Sequence, residues 1–130
     1  MHWLRDQRGT STLEFVVVLP TLLFVMFAII ELSRAWLTLN LVTTAAREAA
    51  RVGTVVAGDQ FPDPPAAVAR LDEILGAGNW TGSITCSQNP CEPDATVQAQ
   101  VSLPFTTVVP AILPMLQAMT IQQTASMRYE

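Results

Sequence analysis

Among the side chains able to do chemistry in this sequence, Glu14 stands out. It sits one position before an uncharged run from Phe15 to Ile30. A carboxylate held in hydrocarbon costs roughly 2.5 kcal/mol or more, so such a group tends to mark function. Arg8, Gly9 and Thr10 lie just upstream, and Phe15 follows directly. An ordinary membrane anchor has no use for an acid here. A secretory signal would carry a small-residue cleavage site after its apolar core, not a glycine before it. Two readings of Glu14 stand side by side. As an interfacial residue, it snorkels to the headgroups. As a functional one, it pairs with a cation in low dielectric, where pairing is strongly preferred to leaving either group alone.

Cys86 and Cys91 are the second reactive pair, enclosing the turn-rich Ser87-Gln88-Asn89-Pro90. An even cysteine count in an exported domain points to a disulfide, here fixing the tip of a hairpin. A metal site would need more ligands than these two, and the single histidine, His2, lies on the other side of the apolar run. The sequence offers no enzyme constellation. There is no second histidine for a Ser-His-Asp arrangement, and no lysine for a phosphate loop. Asp59, Asp63, Asp72 and Glu73 read as solubilising charge. No cofactor or metal is expected. The basic residues, all arginine, are outnumbered by acids, and the acidic Asp59–Asp94 stretch argues against a nucleic-acid partner.

The elements that position these groups follow from periodicity. The chain has 130 residues, room for one small domain beside an anchor. From Phe15 to Leu32 only Glu31 is charged, and about 18 helical residues span roughly 27 Å, close to one bilayer core. The helix continues to about Val56. Leu32, Ala35, Trp36, Leu39, Val42, Ala46, Ala49, Ala50 and Gly53 form one stripe, with Glu31/Arg34 and Glu48 between Arg47 and Arg51 elsewhere on its surface. Pro20 should kink it or loosen one turn. Gly58–Pro65 reads as a linker and Ala66–Leu75 as a short helix, stopped by Gly76-Ala77-Gly78-Asn79. Alternation predicts strands at Val97–Phe105 and Ile121–Tyr129, with a shorter one around Ile84–Cys86 pairing antiparallel to the first. The expected fold is α+β, a long helix packed on about three antiparallel strands. The apolar stretch Val108–Leu116 is either a connector folded over the sheet's open end or an exposed patch that meets a partner subunit or the membrane.

His2, Arg5 and Arg8 precede the apolar run, which places the N-terminus in the cytoplasm and the rest of the chain outside the cytoplasmic membrane. The chain then divides into a cytoplasmic leader (1–9), a transmembrane and extended amphipathic helix (10–57) and a small extracytoplasmic domain (58–130).

Arg8-Gly9, Leu13-Glu14-Phe15, Leu19-Pro20, Ile30-Glu31 and the run Ala45–Arg51 resemble the TadE-like minor pilins (pseudopilins) of tight-adherence secretion systems. The resemblance implies a precursor cut by a prepilin peptidase between Gly9 and Thr10. The new amine at Thr10 would then pair with Glu14 of a neighbouring subunit, with Phe15 beside it, during pilus assembly. It implies a non-enzymatic role in priming, capping or regulating a type IV-like pilus. The partners would be the inner membrane, the peptidase, other pilin or pseudopilin subunits and the assembly platform. The alternative is an uncleaved, membrane-anchored binding or scaffold domain.

Overall fold

The computed structural model describes residues 7–108 and 119–130, with side chains from Thr12 onward. Helix α1 (Gln7–Gly53) is followed by a 3-10 turn (Gly58–Gln60), helix α2 (Pro65–Leu75) and strands β1 (Thr81–Cys86), β2 (Thr96–Pro104) and β3 (Thr120–Arg128). The sheet is antiparallel, in the order β1-β2-β3. The fold is thus the expected α+β arrangement of one long helix, one short helix and three strands.

At 47 residues, α1 is about 70 Å long. It runs through Pro20 unbroken, although proline has no N–H to give the carbonyl four residues back. It stops three residues short of the expected Val56, at Gly53. A Cβ at Gly53 would lie 2.9 Å from Val97 Cγ1, so the helix meets the sheet there closely enough that any side chain would have to displace Val97. The inward face just before it is built from Val42, Ala45, Ala46, Ala49 and Ala50, all buried. Small residues let the helix axis approach the sheet, where α1 crosses β2 and β3 and also packs on α2.

Strand β2 supplies the opposing surface. Val97, Ala99 and Val101 alternate with exposed glutamines, and all three are fully buried. Removing each valine from water contributes about 1.5–3 kcal/mol. Register places Ala99 between Ile84 and Ala125, so the mid-sheet is thin beneath the alanines of α1.

The segment read as a linker is part of the core. Phe61 is buried and meets Tyr129 edge-on, with ring centroids 6.4 Å apart, and Pro64 is fully buried. Two of the acids read as solubilising charge have internal partners instead. Asp63 Oδ1 accepts the Ile84 N–H at 2.7 Å, and Asp72 Oδ1 accepts the Trp80 indole N–H at 2.8 Å. Arg51 binds Glu48 through two nitrogens, at 3.0 and 3.1 Å. A disulfide joins Cys86 to Cys91 across the β1–β2 connection, and the Cys91 N–H donates to the Gly58 carbonyl at 3.1 Å. Most of the apolar stretch 108–116 lies outside the described residues; its first residue, Val108, is exposed.

Candidate functional site

The N-terminal half of α1 has little protein around it. Large apolar side chains from Leu13 to Ile30 project outward, and none of the residues from Thr12 to Ile30 is buried. This is the one helix long and apolar enough to cross a membrane among the described residues. Gly9 and Thr10 lie in its first turns. Position 10 and Glu14 are four apart, hence on one side of the helix. Glu14 is exposed, as is Phe15 on the next azimuth. The described residues give Glu14 no hydrogen bond or ion pair.

Glu31, at the other end of the uncharged run, is in the opposite situation. It is 1% exposed, the one charged residue buried among those described. Both carboxylate oxygens are used. Oε1 accepts the backbone N–H of Val108 at 2.7 Å, and Oε2 accepts Arg34 Nη1 at 3.3 Å. The Arg34 guanidinium also lies 5.8 Å from the centroid of the buried Phe105 ring, within cation–π range. A buried carboxylate is tolerated when paired and hydrogen-bonded, and removing its partners is costly. Two positions on, Ser33 Oγ donates to the Ile29 carbonyl at 2.8 Å, satisfying itself on the helix.

The burial of Glu31 corrects the apolar stripe. The face that turns inward is Glu31, Ala35, Leu39, Val42, Ala46, Ala49 and Gly53, every step three or four residues. Leu32 and Trp36, expected on it, stand one position off and are exposed. Reading apolar residues alone pulled the stripe off its true line at its lower end, because the inward position there is an acid. The detectable signal was geometric: position 31 lies four residues before Ala35 on the same face.

Leu32, Ala35, Trp36 and Leu39 form one wall of an apolar groove of about 310 Å³, with Met119–Gln122 as the other. Two residues of the β2–β3 connection thus return to the same level of α1, Val108 at Glu31 and Met119 beside Leu32 and Trp36. Among the described residues no group of three or more His, Cys, Asp or Glu side chains comes together.

Fold and site together define a small α+β head built onto a single exposed apolar helix. Residues 9–51 match the family model described as TadE-like protein. The matched stretch takes in Gly9, Glu14, Phe15, the whole uncharged run, Glu31 and the alanine face of α1. No curated protein and no solved structure matches the chain.

Proposed function

We propose that this chain is a membrane-anchored, non-enzymatic component of a tight-adherence pilus system, a minor pilin cut by a prepilin peptidase after Gly9. The observation that carries the reading is the family match, which begins at Gly9 and takes in an acid five positions on, Glu14, at the mouth of an uncharged run. Cleavage would leave a cationic amine at Thr10 near the membrane surface. The exposed Glu14 carboxylate has no partner among the described residues of its own chain, so it is free to pair with that amine on a neighbour. In hydrocarbon such a pair is strongly favoured over two separate charges. Phe15 would pack beside it. Arg5 and Arg8 ahead of the run support an N-terminus in the cytoplasm and an α+β head outside.

A second reading is favoured by a different observation. The Ala45–Gly53 face of α1 is consumed by the chain's own sheet, so that half of the helix is explained without any filament. On this reading the protein is an uncut, anchored binding or scaffold domain.

Intact-mass and N-terminal peptide analysis of the membrane-purified chain, with and without co-expressed prepilin peptidase, separates the two. A peptidase-dependent terminus at Thr10 is the expected result. A chain that still begins at Met1 beside an active peptidase favours the anchored domain.

A further inference from the structure

We propose that the folded head makes its own contact with the phospholipid interface, through Val108 and Met119 of the β2–β3 connection together with Leu32 and Trp36 of α1. This rests on the reading of α1 as a bilayer span. It goes beyond that reading by seating the globular part on the membrane, where an anchor alone would leave it free.

Depth along the helix carries the argument. The uncharged run Phe15–Ile30 is 16 residues, about 24 Å long, shorter than the roughly 30 Å hydrocarbon core. Its midpoint falls between Leu22 and Leu23. Counted from there, Glu31 lies about 13 Å up the axis and Trp36 about 20 Å, that is, just inside the hydrocarbon edge and in the headgroup layer.

Val108 is fixed at the first of these depths, because its N–H is bonded to Glu31 at 2.7 Å. Its side chain is nonetheless 66% exposed. Met119, 43% exposed, borders the same groove as Leu32 and Trp36, which are 71% and 64% exposed. At that height an exposed side chain faces acyl chains or headgroups. The residues are of the kind that such a boundary accepts, with an indole at the headgroup level.

Electrostatics agree. The carboxylate at this depth is not presented bare to lipid: it is buried and bonded to the Val108 N–H and to Arg34, whose guanidinium lies over Phe105. The patch is continuous with the bare apolar surface of the span below it. That continuity selects lipid as the occupant over a second copy of the chain.

The test uses nitroxide labels on the full chain in vesicles of phosphatidylethanolamine and phosphatidylglycerol, with the Cys86–Cys91 disulfide kept oxidised. Labels replace Val108 and Met119 in separate variants. Leu22→Cys reports the span, and Val55→Cys, at an exposed site beyond the end of α1, reports water. Accessibility to oxygen relative to a water-soluble nickel chelate is expected to be severalfold higher at 108 and 119 than at 55, approaching that at 22. A lipid-like ratio at 22 with water-like ratios at 108 and 119 overturns the head contact and leaves the span standing. A water-like ratio at 22 removes the span itself. Protection at 108 and 119 that vanishes when the protein is diluted in excess lipid shows a second copy on this surface, and also overturns the proposal.

Discussion

Asp63 and Ile84 exchange two hydrogen bonds: the Asp63 N–H donates to the Ile84 carbonyl at 2.8 Å, and the Ile84 N–H returns to Asp63 Oδ1 at 2.7 Å. Strand β1 is an edge strand, bonded to β2 on its other side, and this exchange closes its free edge at mid-length. Asp63 does so from a left-handed backbone conformation, φ 56°, which aspartate and asparagine tolerate better than most residues. Asp63→Ala leaves the N–H of the fully buried Ile84 without its acceptor and should cost about 1–3 kcal/mol. Asp63→Asn keeps both an acceptor oxygen and the conformational tolerance, and should cost far less. Urea unfolding of the detergent-solubilised chain measures both. Equal losses for the two variants would show that the carboxylate's charge, not the exchange, is what matters.

Glu31 should hold the near end of the β2–β3 connection in place. In Glu31→Ala the Val108 amide loses its acceptor, and its hydrogen exchange should speed up by about tenfold or more. Glu31→Gln retains an acceptor and should leave that amide largely protected while weakening the Arg34 contact. An unchanged Val108 exchange rate in the alanine variant would mean that the connection is held by something else.

Gly58 and Gly78 should respond differently to the same change. A Cβ on Gly58 would stand 2.1 Å from the Cys91 carbonyl oxygen, whereas one on Gly78 meets nothing within 4 Å. Gly58→Ala therefore has to move backbone beside the disulfide, at about 3 kcal/mol or more. Gly78→Ala is charged only for its left-handed conformation, φ 77°, at about 1–2 kcal/mol. Thermal melts of the two variants should rank in that order, and a reversed ranking would place the Gly58 turn further from Cys91 than described.

At the N-terminus, Gly9→Trp is expected to abolish peptidase-dependent trimming while leaving membrane insertion intact. Glu14→Ala should leave trimming intact and lower the yield of subunit complexes recovered by crosslinking in the membrane. If Glu14→Ala complexes form at the normal yield, the pairing of the Thr10 amine with Glu14 is wrong.

Much of the fold was legible because its periods are clean. Alternation between Val97 and Phe105 and between Ile121 and Tyr129 gave β2 and β3 to within one residue at each end. The glycines after Leu75 marked the end of α2, where Gly76 takes a positive φ and its N–H caps the Asp72 carbonyl. What stayed hidden was every polar group whose partner is remote in sequence. Asp63 finds Ile84, Asp72 finds Trp80 and Glu31 finds Val108 only after the chain has folded back on itself. No local pattern encodes such pairings, so acids that serve the interior look like acids that serve the surface. Phe61 and Pro64 were missed for a related reason. Proline and glycine around them signal a turn, and a turn says nothing about which of its side chains faces inward. Gly9, Thr10 and Glu14 were legible as a motif, and the structure adds that Glu14 stands bare on its helix.

The alanine face of α1 has a consequence for the order in which this protein can be made. Residues Val42 to Gly53 are early in the chain, while β3, which packs against them, comes last, and Tyr129 seals the join by donating its hydroxyl to the Val56 carbonyl at 2.6 Å. A chain delivered N-terminus first therefore presents the helix's share of the core, Val42, Ala45, Ala46, Ala49 and Ala50, long before the last covering strand arrives. Helix α2 and the β1–β2 hairpin can cover part of the helix face on arrival, but the part that β3 covers stays open until Thr120–Arg128 is delivered. Completion of the head is thus gated by its final strand. A chain stalled before β3 would be a substrate for proteases or chaperones and not a shortened version of the native protein.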